Sequence, residues 1–240
     1  MKKWALITGA SGEIGKAISR KLAAEGYYLY LHYYQNQQGM DELLQQLNEW
    51  NGEYIPIRAD LSTIEGVEQL VQSIFQIDDI VFCAGKELNK LLIDTNEEEI
   101  FFHIQLHMSS TILLTKKLLP KLYQKEKGAI LFISSIWGET GAALETVYSA
   151  VKGGQIAFAK ALSKEVARNG IRVNVVSPGA IQTRMNQFLA EEEKYDLEME
   201  IALGRMGTPE EVSEAVSFLL SPKASYITGE VLRVNGGWYT

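Results

Sequence analysis
The sequence predicts an α/β fold: a single Rossmann-type, doubly wound parallel sheet with helices on both faces. Three observations predict it. Short apolar runs alternate six times with longer amphipathic segments, as a parallel sheet with crossover helices requires. The first run passes into a glycine-rich turn, Gly9-Ala-Ser-Gly-Glu-Ile-Gly15, that opens a helix. Thr8, Ala84-Gly85, Ser135 and Pro178-Gly179 fall at the carboxyl ends of apolar runs, where open sheets of this kind bind ligands.

The elements follow in order. Lys3–Thr8 reads as the first strand and the segment to Glu25 as the first helix. The glycines at 9, 12 and 15 let backbone amides approach a ligand, and the helix N-terminus favours a phosphate. Tyr27–Tyr33 is the second strand. No acid occurs from Gly26 to Met40, where an Asp or Glu would hold the ribose hydroxyls of NAD. The strand ends in His32-Tyr-Tyr-Gln-Asn36 instead, which favours NADP(H) over NAD(H). No Arg or Lys lies between Lys21 and Arg58, so the 2′-phosphate would be met by Tyr33, Tyr34, Gln35, Asn36 or Lys16. The same loop also reads as merely polar and solvated. Asp41–Trp50 is helical, Glu53–Arg58 is the third strand and Ile64–Gln76 the next helix. Asp60 suits either an adenine amino group or, with Ser62 and Thr63, the cap of that helix. Asp79–Cys83 is the fourth strand. Glu97–Lys125 is a long, bent helical tract with His107 in its middle. Gly128–Ser134 is the fifth strand, Val147–Arg168 a helix and Ile171–Val176 the sixth strand. Residues 184–205 read as a substrate flap, with Arg184–Leu203 helical and mobile and its acids a solvated face. Pro209–Leu220 is a helix with proline in its first turn, and Glu230–Val234 is the last strand.

Composition narrows the classes. The 240 residues are 46% hydrophobic and 22% charged, enough core for one large or two small domains. With no linker, repeat or low-complexity segment, residues 1–240 read as a single dinucleotide-binding domain. A net charge of −7 disfavours nucleic acid as a partner. The single cysteine, Cys83, allows no internal disulfide and fits a reducing, cytoplasmic setting; it reads as a small buried hydrophobe. No apolar run approaches the ~18 residues of a membrane span, and the N-terminus reads as a strand rather than a signal peptide. His32, His103 and His107 show no metal-ligand spacing.

Ser135, Tyr148 and Lys152 carry the chemistry. Tyr148 and Lys152 are four apart, on one helix face and one turn from each other. An ammonium there favours the phenolate and makes the hydroxyl a usable acid near neutrality. Ser135, at the end of an apolar strand, can donate to a carbonyl oxygen that also faces the tyrosine. Tyr-x-x-x-Lys alone arises by chance in many helices; its convergence with the glycine turn and the strand ends gives it meaning.

Together these motifs resemble the short-chain dehydrogenase/reductase family along the whole chain. Thr8-Gly-Ala-Ser-Gly-Glu-Ile-Gly15 resembles its cofactor turn. Asp60-Leu61, Ala84-Gly85, Ser135, Tyr148-x-x-x-Lys152, Ile171-Arg-Val-Asn174, Pro178-Gly-x-x-x-Thr183 and Asn235-Gly-Gly237 occupy further family positions in order. The resemblance implies about seven strands in the order 3-2-1-4-5-6-7. It implies a cofactor held by Gly9, Ser11, Gly12, Glu13, Ile14, Tyr33, Asp60, Leu61, Ala84, Gly85, Tyr148, Lys152, Pro178 and Gly179, with Ile181 and Thr183 at the carboxamide. It implies that Tyr148 protonates a developing alkoxide, Ser135 stabilises it, and Lys152 holds the ribose. Three positions depart from the pattern. Glu13 replaces a turn glycine, so its acid must point away from the phosphates or be screened. Phe82-Cys83 replaces a polar pair before Ala84-Gly85. His107 replaces an asparagine that orders a proton-relaying water; a histidine there would hold that water, replace it, or be structural.

The branch most like this chain is the 3-oxoacyl-[acyl-carrier-protein] reductases. The segment Ser134-Ser-Ile-Trp-Gly-Glu-Thr-Gly141 and the Gly-Gly-Trp tail resemble a bacterial subgroup that reduces 5-aminopentanone-modified elongation factor P. The implied substrate is a ketone, carried on one or other protein. An acidic carrier protein needs a basic rim, for which Lys121, Lys125, Lys127, Lys164 and Arg168 are the candidates; the acidic flap suits a basic partner instead. A catalytically silent NAD(P)-binding sensor or scaffold is the alternative of another class. The family resemblance further implies a homotetramer or homodimer, without membrane or nucleic-acid partners.

Overall fold
Successive strand residues point to opposite faces, and along the central strands here both faces are apolar, as a sheet covered on both sides requires. The computed structural model describes residues 2–183 and 191–240. The strands are β1 (Trp4–Thr8), β2 (Tyr28–Tyr33), β3 (Tyr54–Arg58), β4 (Asp79–Phe82), β5 (Gly128–Ile133), β6 (Ile171–Pro178) and β7 (Val231–Val234). They form one parallel sheet in the order β3-β2-β1-β4-β5-β6-β7, as expected.

On one face Leu6, Tyr30, Ile80, Phe82, Ile130 and Phe132 pack against α3 (Ile64–Gln72), α5 (Ser110–Leu122) and α7 (Thr146–Val166). On the other, Ile7, Leu29, Leu31, Val81, Leu131 and Val176 meet α1 (Glu13–Ala24), α2 (Gln37–Leu47) and α9 (Pro209–Leu220). Each such fully buried side chain contributes roughly 1.5–3 kcal/mol, so this alternation fixes the strand register. The strand order reverses between β1 and β4, which opens a crevice at their carboxyl ends.

Some boundaries differ from expectation. Helix α2 starts at Gln37 rather than Asp41, because the Asn36 side chain accepts from the Gly39 amide at 2.9 Å. The long tract divides into α4 (Glu97–Ile104), a π-helical turn (Gln105–Ser109) and α5, and the short α6 (Trp137–Thr140) follows β5. Of the expected flap, residues 184–190 lie outside the described residues; Glu191–Glu200 is α8 and buries no residue. Among the described residues, no helix is long and apolar enough to cross a membrane.

Candidate active site
The crevice is a cavity of about 910 Å³, in the range of small-molecule and cofactor sites. Gly9, Ser11, Gly12, Glu13, Ile14, Tyr33, Asp60, Leu61, Ala84, Gly85, Ser135, Tyr148, Lys152, Pro178, Gly179, Ile181 and Thr183 all line it. Of the residues expected from the sequence, His107 alone lies behind the wall.

The glycine turn is fixed by backbone proximity. Gly9 has φ +67°, and a Cβ there would stand 2.7 Å from Ala84 Cα. A Cβ on Gly15 would fall 2.3 Å from the Gly9 carbonyl oxygen. Position 12 is looser, since a Cβ there would meet the Gly9 oxygen only at 3.4 Å. Glu13 is the first residue of α1, where the helix dipole favours a carboxylate. Ala84 and Cys83 offer their amides to Thr8 Oγ1, both at 3.0 Å, which ties the β1 and β4 ends together. His32, unassigned from the sequence, braces this turn. The Gly9 amide donates to its Nδ1 at 3.1 Å, and its Nε2–H donates to the Ala59 carbonyl at 3.1 Å. Asp60 takes the Ser62 amide and hydroxyl, while Thr63 caps α3. Asp60 also lines the cavity, so cap chemistry and cavity exposure coexist in one carboxylate.

This cradle fits a dinucleotide: small backbone positions admit the chain of phosphates and a helix N-terminus faces them. In the loop after β2, Lys16 is paired with Glu42 at 2.7 Å and Tyr33 donates to Gln37 at 2.6 Å. Arg58 Nε donates to the Tyr34 carbonyl at 3.1 Å and so brings a guanidinium to that loop.

Ser135 leaves the end of β5, and Tyr148 and Lys152 rise from the first turns of α7. Burial raises the Tyr148 phenol, the Glu145 and Glu87 carboxylates add to the rise, and a Ser135 hydrogen bond opposes it. Among the chain's own groups, any pull of Lys152 toward the phenolate is thus outweighed by burial and the two carboxylates. Lys152 Nζ lies 5.6 Å from the Tyr148 ring centre and donates to the Ile133 carbonyl at 2.8 Å. Burial lowers Lys152 to about 8. The phenol remains protonated, which is the form that donates to an alkoxide, a far stronger base than a phenolate. Burial raises the Cys83 thiol to about 11, in keeping with an unreactive cysteine.

His107 is fully buried in the π turn. Its Nε2 lies 2.9 Å from the Lys86 carbonyl oxygen, and a Cβ on Gly85 would strike its ring. The imidazole thus braces the loop after β4 rather than facing the cavity. Burial depresses it to about 3, and His32 to about 4. Both depressed values make stability fall as pH drops. The unfolded imidazoles take up protons below about 6.5, whereas the folded ones resist to about 4 and about 3. Urea unfolding should show a loss of roughly 2 kcal/mol per imidazole between pH 7 and 5, with about half of it removed in His107→Asn.

The outer part of the cavity was not anticipated. Glu87, Glu145, Trp137 and Trp238 line it with Phe102. Leu144 has φ +67°… a left-handed backbone for a non-glycine residue, and its carbonyl accepts the Lys90 amide at 2.6 Å. This strained loop delivers Glu145 to the mouth. Burial raises Glu145 to about 7 with Glu87 adding, and burial raises Glu87. The indoles of Trp137 and Trp238 meet edge to face at 5.1 Å. In the sequence only the tryptophans, in Ser134–Gly141 and in the Gly-Gly-Trp tail, point to it. The basic rim expected for a carrier protein is at the wrong end. Lys121, Lys125 and Lys127 lead into β5, and Lys164 and Arg168 into β6, so they flank the amino ends of the strands. Lys125 is also paired with Asp78 at 3.4 Å. Among the described residues there is no group of three or more metal-ligating side chains.

A sheet that reverses over a phosphate cradle, beside a serine, a tyrosine and a lysine, defines an oxidoreductase of CH–OH and carbonyl groups that uses a nicotinamide cofactor. A family model described as Enoyl-(Acyl carrier protein) reductase matches residues 9–239. The uncharacterized oxidoreductase YmfI of Bacillus subtilis is 48% identical, over 100% of both chains. The 3-oxoacyl-[acyl-carrier-protein] reductases FabG of Haemophilus influenzae and Escherichia coli are 36% and 37% identical, over 99% of this chain and 98% and 97% of theirs. The chain belongs to the short-chain dehydrogenase/reductase family.

Proposed function
We propose that this protein is an NADPH-dependent reductase of a ketone that carries a basic amine, of the kind presented by 5-aminopentanone-modified elongation factor P. The observation that carries this reading is the pair Glu87 and Glu145 in the wall beside Tyr148, with no cationic partner for either among the described residues. Two carboxylates pushed up by burial, Glu145 also by its neighbour Glu87, gain from an arriving ammonium. The indole walls of Trp137 and Trp238 add a surface suited to a cation. Bound NADPH supplies the hydride. Ser135 and Tyr148 receive the carbonyl oxygen, and Tyr148 gives it a proton. Lys152 keeps positive charge under the phenol as that proton leaves. Arg58 and Lys16, near the loop after β2, support a preference for the 2′-phosphate. The lone cysteine supports a cytoplasmic setting. Exposed Phe101 and Ile112 on α4 and α5 support pairing of copies through the long helical tract.

Reduction of a 3-oxoacyl group on an acyl carrier protein is the second reading, favoured by the names of the FabG relatives. The misplaced basic residues weigh against it. Turnover measured side by side on modified elongation factor P and on acetoacetyl-carrier protein separates the two. In the Glu87→Gln/Glu145→Gln double variant, KM for the amine-bearing ketone should rise about tenfold or more, while KM for an uncharged diketone stays put. A uniform rise would remove the carboxylates from substrate recognition.

A further inference from the structure
We propose that Gln155 is a positioning residue for Lys152: its side-chain amide bridges the lysine to the His107 carbonyl and closes the inner side of the site to solvent protons. The proposal rests on the reductase reading for its consequence in turnover, but not for its geometry. Lys152 Nζ donates to the Ile133 carbonyl at 2.8 Å and lies 3.4 Å from Gln155 Oε1. Gln155 Nε2 donates to the His107 carbonyl at 2.8 Å. That carbonyl belongs to the π-helical turn and also accepts Thr111 Oγ1 at 2.9 Å. Gln155 is 1% exposed and Lys152 4%.

The bridge has a chemical consequence. A carboxamide donates through nitrogen and accepts through oxygen, and near neutral pH it does not pass a proton from one to the other. A water in the same gap would do both. With Gln155 in place, the inner side holds Lys152 charged by hydrogen bonding. The proton that replaces the one lost by Tyr148 must then arrive from the cavity side. The titratable groups facing Lys152 are Tyr148 on its own helix, Cys83 at the end of β4 and His107 in the π turn. The thiol lies at about 11, the phenol is raised further, and the imidazole lies at about 3. A midpoint between pH 6 and 9 on this side therefore belongs to Lys152. Glu145 titrates near 7 on the cavity side, so the lysine must be read directly rather than through rate alone.

The test is an NMR titration of lysine side chains in the full-length protein, with the Lys152 signal assigned by its loss in Lys152→Met. Gln155→Leu keeps the volume and removes the bridge. Gln155→Ala also removes it but leaves room for a water, which needs about 30 Å³. Loss of the acceptor should lower the Lys152 midpoint by about one pH unit in Gln155→Leu, and by less in Gln155→Ala. With a diketone and NADPH, kcat in Gln155→Leu should then fall about fivefold at pH 8 and little at pH 6, with KM unchanged. Gln155→Ala should retain more activity than Gln155→Leu. An unmoved Lys152 midpoint in both variants overturns the proposal, whether or not the protein turns over the ketone. So does the reverse order, with Gln155→Ala the more damaged, because that is the signature of packing alone.

Discussion
Tyr148→Phe should lose turnover by roughly 10²–10⁴-fold while still binding NADPH. The range is that of a positioned general acid removed from a reaction that otherwise keeps its geometry. Burial of its hydroxyl and the nearby carboxylates hold the phenol protonated, and the Ser135 hydrogen bond opposes them. Phenylalanine keeps the ring that packs edge to face on His107 at 5.7 Å. The wall therefore survives and only the proton is lost. Steady-state rates with fluorescence titration of NADPH check both halves. Turnover comparable to wild type would remove Tyr148 from the chemistry; loss of cofactor binding would show that its role is structural.

Gly9→Ala has the second largest expected effect, on binding and stability together. The new methyl group would meet the Ala84 backbone at 2.7 and 2.9 Å, and the residue would keep φ +67°. Neither neighbour is a flexible side chain, so the β1 turn and the β4 end must move apart. Left-handed strain and overpacking together cost about 2–4 kcal/mol. For a chain of this size that corresponds to a Tm lower by roughly 5–15 °C. The shift also breaks the cradle, so NADPH affinity should fall more than a hundredfold. A Gly12→Ala control, with ordinary contact to the Gly9 oxygen at 3.4 Å, should cost far less. Calorimetry and cofactor titration of the two variants distinguish this account from general sensitivity of the turn.

The sequence made the scaffold legible because its signals are local. Gly9 and Gly15 are punctuation that any reader of a strand–turn–helix sees, and the run from Gly128 to Ile133 alternates between two apolar faces. Asn36 carried a cap signal three residues before Gly39, so the true start of α2 was available. The lysine's environment was not. Whether Lys152 acidifies Tyr148 depends on which carbonyls surround it, and those come from Ile133, 19 residues away, and, through Gln155, from His107, 48 residues from that glutamine. Gln155 itself looked like a polar residue in a helix. His107 was visible as an oddity, but only the π turn aims its ring at Lys86 instead of the cavity. The basic side chains were countable, yet their end of the sheet follows from topology: a lysine that precedes a parallel strand lies opposite the ligand crevice. Glu145 depended on an unusual backbone at Leu144, which no residue type announces.

The most direct measurement is transfer of label from 4-deuterated NADPH to an amine-bearing ketone, read by mass spectrometry of the alcohol. The account predicts an alcohol heavier by one deuterium on the former carbonyl carbon, formed by the wild type and lost in Tyr148→Phe. Cofactor that binds while the ketone comes back unreduced would contradict it and leave the protein as a holder of nucleotide.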